Sequence, residues 1–431
     1  MKLTPTLNQP PAAAKLERLW WLALALFVLA GSTGVLMRFG VTLGFPWGLQ
    51  FSNLRHAHSH LMYFGWVTPA LMALISARLP VFVKRPLPPT IPRTIGLTLI
   101  FALLAYVPFL LFGYRSASVG QRSLPLSVMA AGLNVIGWYL FAWHYWRYTR
   151  GAVRLLPLRL WDTAVLFMLF ASLGGWGLPL LTLLRIENPL WSMAFTHLFL
   201  DEFAEGWFVL AVLGLLYARQ PQASQHPLAQ RSHDLMLIGL PVLFILGIPT
   251  HLLNTPLRLI GGLGALLVGL GLWGHLRVLG QSARINRIPL FFLGLKATAL
   301  LIIILPQAAR WAEQAGLRIS YLHWLLLGFI SLSIMATAQA EWASVKGNRL
   351  FTAGVIGLIL TLLPLTQLWP AAWRGRWVLS AAGWGALLPV LAALVMLGTA
   401  VLHHIVSRSH PSPPTTTKLA TFFKNQEVFY E

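Results

Sequence analysis

Apolar runs recur from one end of this 431-residue chain to the other. About twelve are long enough to cross a hydrocarbon core roughly 30 Å thick, near residues 19–39, 57–79, 94–113, 124–148, 160–184, 189–217, 233–253, 256–279, 288–309, 319–342, 350–369 and 377–404. Lipid offers no water to satisfy backbone N–H and C=O groups, so spans of this kind are helices. Only 10% of the residues are charged, against about 25% in an average soluble domain. The chain therefore reads as an all-α integral membrane protein. No long polar insert interrupts the series, which predicts one membrane domain over residues 1–406. A polar, Pro-rich tail follows over residues 407–431.

The formal charge of +21 does not indicate a nucleic-acid partner. The Lys and Arg residues are scattered singly through short loops rather than massed in a patch. Of the 32, 21 fall on the side of the termini, 10 on the other side, and Lys296 lies within a span. The positive-inside rule then places both termini in the cytoplasm, in a bacterial-type inner (plasma) membrane. The first apolar run lacks a small-residue cleavage site and reads as a span, not a signal peptide. There is no cysteine, so neither a disulfide nor a thiolate metal site is available.

Under this topology four spans bring histidines to a similar depth near the outer face. The second carries His56, His58 and His60, the sixth His197, the seventh His251 and the tenth His323. His144, His275, His403 and His404 fall at cytoplasmic ends and read as interfacial residues. In RHAHSHLMYFGW (55–66), His56 and His60 are four apart and share a helix face, while His58 points away. One helix cannot direct all three at one ligand, so a haem-type ligand is either His58 alone or one of the other pair. In THLFLDEFAEGW, His197, Asp201 and Glu205 form one stripe, with Glu202 rotated off it. An uncompensated Asp near a span centre costs roughly 2.5–3.5 kcal/mol, so such groups face a cavity, a partner or a metal. Helix–helix hydrogen bonding is the plainer alternative.

Together these residues resemble subunit I of the haem–copper oxidase superfamily, nearest its nitric-oxide-reductase and C-type oxidase branches. That family has a twelve-helix core with both termini cytoplasmic, and draws its ligands from helices two, six, seven and ten. Arg55 and His58 match the family's Arg three residues before a low-spin haem ligand. Tyr321-Leu322-His323 occupies its His-x-His, which makes His323 the second axial ligand. His197, Asp201 and Glu205 resemble its metal-binding His-x-x-x-Glu-x-x-x-Glu row, with Asp for the first Glu. Arg374 and Arg376 resemble the paired arginines that hold haem propionates. Two positions depart from the pattern. Thr250-His251 stands where the family has adjacent histidines, and Tyr321 replaces the ligand of the high-spin haem. A Tyr can ligate haem iron; simple loss of the ligand is the plainer reading.

The resemblance implies electron transfer through a haem b between His58 and His323, with oxidoreductase chemistry if the chain is catalytic. It further implies a second metal, copper or non-haem iron, at His197, His251, Asp201 and Glu205, and a supporting cofactor role for His60. A cytochrome or copper-protein electron donor and a second membrane subunit are the implied partners, beside the lipid bilayer. Two other classes fit the residues: a cofactor-free ion- or proton-coupled transporter using the acids of the sixth span and Lys296, and a non-catalytic haem or metal protein for sensing or assembly.

Overall fold

The structure is a computed structural model and describes residues 11–282 and 286–409. Its apolar runs form long helices that pack mostly against their neighbours in sequence. These are α1 (Pro11–Leu43), α2 (Phe51–Val83), α3 (Thr90–Phe112), α4 (Leu126–Thr149), α5 (Leu156–Leu183), α6 (residues 189–218), α7 (Pro227–Leu243), α8 (Thr255–Leu279), α9 (Arg287–Ile302), α10 (Leu317–Glu341), α11 (Asn348–Leu365) and α12 (Trp377–Ser409). A small antiparallel hairpin, β1 (Ala117–Val119) with β2 (Arg122–Leu124), joins α3 to α4. The first helix packs against the last, which closes the bundle on itself. Nine of these helices are long and apolar enough to cross a membrane, so the chain is a multi-pass membrane protein. The other three fall short for visible reasons. α6 carries Asp201, Glu202 and Glu205, and α7 and α9 have only 17 and 16 residues.

Enclosure differs sharply among the helices. In α2 and α10, 67% and 61% of the most apolar stretch is buried, against 33% in α3 and α12. The outer helices spend their apolar faces on lipid, while α2 and α10 are surrounded by protein. These two inner helices are tied directly, because the Trp66 indole N–H donates to Ser331 Oγ at 2.9 Å.

Each of α2, α6 and α10 contains a π-helical stretch: Met62–Val67, Phe203–Phe208 and Trp324–Ser331. π-turns are rare and concentrate at functional sites. Here each begins within a few residues of a histidine singled out from the sequence. The wider turn leaves carbonyls in need of donors, and Ser331 Oγ supplies one to Leu326 O at 2.7 Å.

Three boundaries differ from the sequence expectation. α2 begins at Phe51, so His56, His58 and His60 lie inside the helix rather than at its start. The seventh span ends near Leu243 and Gly247, not at residue 253. Pro249 holds the preceding residue extended, and His251 sits on a separate 3₁₀ turn, Thr250–Leu252. α9 ends at Ile302 because Pro306 opens a new nine-residue helix, Pro306–Gln314. Most of the tail expected from residue 407, residues 410–431, lies outside the described residues.

Close helix contact sets the tightest packing limit. A Cβ on Gly174 of α5 would lie 2.4 Å from Phe195 O and 2.6 Å from Phe199 N of α6, and backbone cannot step aside. Gly174→Ala is therefore expected to cost about 1–3 kcal/mol of stability. Gly398→Ala, where a Cβ meets no atom within 4 Å, should be neutral or stabilising by up to ~1 kcal/mol. Thermal unfolding in detergent compares the two.

Candidate functional site

Two histidines of the inner helices are held in the same way. His58 Nδ1 lies 2.7 Å from the Ala30 carbonyl of α1, and His323 Nδ1 lies 2.7 Å from the Ile319 carbonyl one turn back on α10. A carbonyl only accepts, so both rings carry their proton on Nδ1 and leave a lone pair on Nε2. Neither Nε2 has a hydrogen-bond partner among the described residues, and both rings are half-buried. His323 is within electrostatic reach of His58, and both are within reach of Arg38 on α1. Gly34 makes room for the first ring. A Cβ there would fall 2.9 Å from His58 Cε1 and 3.0 Å from Nδ1.

Arg38 is a residue that the sequence reading passed over as a loop cation. It is half-buried, and no hydrogen bond or ion pair engages its guanidinium among the described residues. A guanidinium inside a membrane bundle without a partner calls for an anion. The neighbours of His58 have plainer roles. His60 packs against Phe109 and Phe64, with ring centroids 4.4 and 4.6 Å away. His56 sits edge-on to Tyr114 at 4.6 Å. Arg55 is exposed. Arg376 is also exposed, and Arg374 donates to the Thr366 and Trp369 carbonyls at 3.0 and 2.9 Å, pinning its own loop.

The acids of α6 divide into two groups. The expected stripe holds for its first pair, since His197 Nδ1 and Asp201 Oδ2 are 2.7 Å apart. His197 Nε2 faces the Arg318 guanidinium at 3.4 Å. Gly247 passes directly over this pair, where a Cβ would meet Asp201 Oδ2 at 2.1 Å. Glu205 leaves the stripe because it lies in the π-turn. Its carboxylate pairs with Lys296 of α9 and accepts the Tyr321 hydroxyl of α10 at 2.5 Å. Lys296 and Glu205 are 1% and 6% exposed, so this is an interior ion pair. Glu202 is fully buried beside the Phe244 backbone. His251 is exposed. Among the described residues no three His, Asp or Glu side chains form a metal-holding group, so His197, His251, Asp201 and Glu205 are not brought together as one. His275, read from the sequence as interfacial, is fully buried with Nδ1 2.9 Å from the Tyr217 hydroxyl.

Chemically, the first cluster offers two neutral imidazole lone pairs and a free cation. The second offers a closed, charge-balanced set: a Lys–carboxylate pair capped by a phenol. Removing only one partner of a buried pair leaves an uncompensated charge, at a cost of about 3–5 kcal/mol. Lys296→Met alone should therefore lower thermal stability in detergent sharply, and Lys296→Met combined with Glu205→Gln should restore most of it. Equal losses in the single and double variants would count against the pair.

No family model matches the sequence, and no curated protein matches it. The architecture does have a counterpart among solved structures. The chain is similar to a haem–copper terminal oxidase dimer determined by cryo-EM, with a TM-score of 0.66 and 12% sequence identity. The likeness covers 94% of this chain and 85% of that one. At that identity it speaks for architecture: this multi-pass membrane protein has a haem–copper-oxidase-like fold.

Proposed function

We propose that the chain is an inner-membrane protein of twelve spans, with both termini cytoplasmic, that passes electrons through one haem b held by His58 and His323. One observation carries this reading. Both rings are fixed by backbone carbonyls in the tautomer that leaves Nε2 free, the arrangement that orients ligating histidines in metal sites. His58 and His323 would hold haem b, which when bound would supply a one-electron couple. The chain's own part is to orient the ligands through Ala30 and Ile319, to make room for His58 at Gly34, and to meet a propionate with Arg38.

The other cluster does not fit a second haem or metal. The Tyr321 oxygen is committed to Glu205, Glu205 is neutralised by Lys296, and an ion at His197 Nε2 would sit against the Arg318 guanidinium. No gas-reducing step is therefore assigned. The cofactor-free transporter reading also loses its main cation, because Lys296 is locked in an ion pair. Electrons would come from a separate cytochrome or copper protein, or through a second membrane subunit.

An oxidised-minus-reduced visible spectrum of the purified protein tests the proposal. Sharp b-type bands at about one haem per chain are expected, lost in His58→Ala and in His323→Ala. Gly34→Ala should lower haem occupancy without removing a ligand, because its Cβ would displace the His58 ring. A colourless protein from cells well supplied with haem would overturn the reading.

A further inference from the structure

A polar cavity lies at the end of the bundle where α6 stops and α9 starts, and its α10 wall at Ser333 is ten residues along the chain from His323. It has a volume of about 250 Å³, and its polar lining is Arg219, Gln220, Asn286, Ser333 and Thr337. Among the described residues, no acidic side chain lines it. Arg219, just past the end of α6, gives its backbone N–H to the Leu216 carbonyl, but its guanidinium makes no hydrogen bond or ion pair among the described residues. Glu341, a carboxylate within electrostatic reach of Arg219, is already bound to Arg78 at 2.6 Å, so two guanidinium groups share one anion. Ser333 is 2% exposed, and its buried Oγ has no hydrogen-bond partner among the described residues. An unmet buried hydroxyl costs about 1–3 kcal/mol, which a ligand oxygen would recover.

Backbone adds to this field. Asn286 caps α9, its Oδ1 accepting from Ile288 N at 3.0 Å, so the positive end of a 16-residue helix opens beside the cavity. Helix N-termini of this kind attract phosphate and similar anions. The lining thus combines a free guanidinium, side-chain amides, hydroxyls and a helix dipole, and all of them favour negative charge. The guanidinium in particular matches the paired oxygens of a phosphate group.

We propose that this cavity binds a phosphate group, either as free inorganic phosphate or as the headgroup of an anionic lipid. The site is independent of the haem proposal. Calorimetric titration of the full-length protein in an uncharged detergent with inorganic phosphate tests the free form. Native mass spectrometry after addition of phosphatidylglycerol tests the lipid form. Saturable binding at one site per chain in either experiment is expected. Arg219→Gln should weaken it by about tenfold or more, Ser333→Ala should weaken it less, and Arg219→Lys should retain part of it. Thermal unfolding of each variant separates lost binding from lost folding. Phosphate binding alone assigns a soluble ligand, and retention of a single phospholipid alone assigns a lipid; both support the site. Absence of both, or equal binding by wild type and a folded Arg219→Gln protein, would overturn it.

Discussion

A charge inside a membrane bundle is costly unless an opposite charge meets it, and the Lys296–Glu205 pair meets that demand in the interior of this chain. Isolated, each ion would face a desolvation cost of several kcal/mol. Together, with the Tyr321 hydroxyl on the same carboxylate, they fasten α6, α9 and α10 at one point in the interior. The position of α10 in turn sets where His323 lies, two residues beyond Tyr321. The Trp66–Ser331 bond then ties α10 to α2, which carries His58. The geometry of the two free imidazoles thus rests on an ion pair that takes no part in their chemistry.

The same pair shows how a helical bundle can be closed from within. The phenol–carboxylate–ammonium set joins three helices through the chain's own side chains. The chain has an architecture similar to that of a haem–copper terminal oxidase, with this cluster closed by its own charges.

Much of this was legible in the sequence. Apolar run length, with few charges, was enough for the helices, because the bilayer imposes one solution on any backbone that crosses it. The separation of His58 from His56 and His60 followed from helical periodicity, and the structure gives the outer pair aromatic neighbours. Other features had no local signal. Arg38 lies at the end of an apolar run, where a cation is ordinary, and only the approach of α2 and α10 makes its position unusual. Glu205 looked like a third member of the His197 stripe because the counting assumed 3.6 residues per turn throughout. Lys296 was visible as the lone Lys or Arg inside a span, but its partner depended on tertiary contact.

The three π-turns carry a consequence for how such a protein can vary. An α-helix advances about 100° per residue, so a π-turn, which holds one residue more, changes the rotational phase between the two halves of its helix. In α2, α6 and α10 the half bearing the histidines and the half beyond the turn are therefore set to different phases. Each half can face its own neighbours without dictating the orientation of the other. A one-residue insertion or deletion, ruinous in a continuous helix, has a place in these three where it can be absorbed.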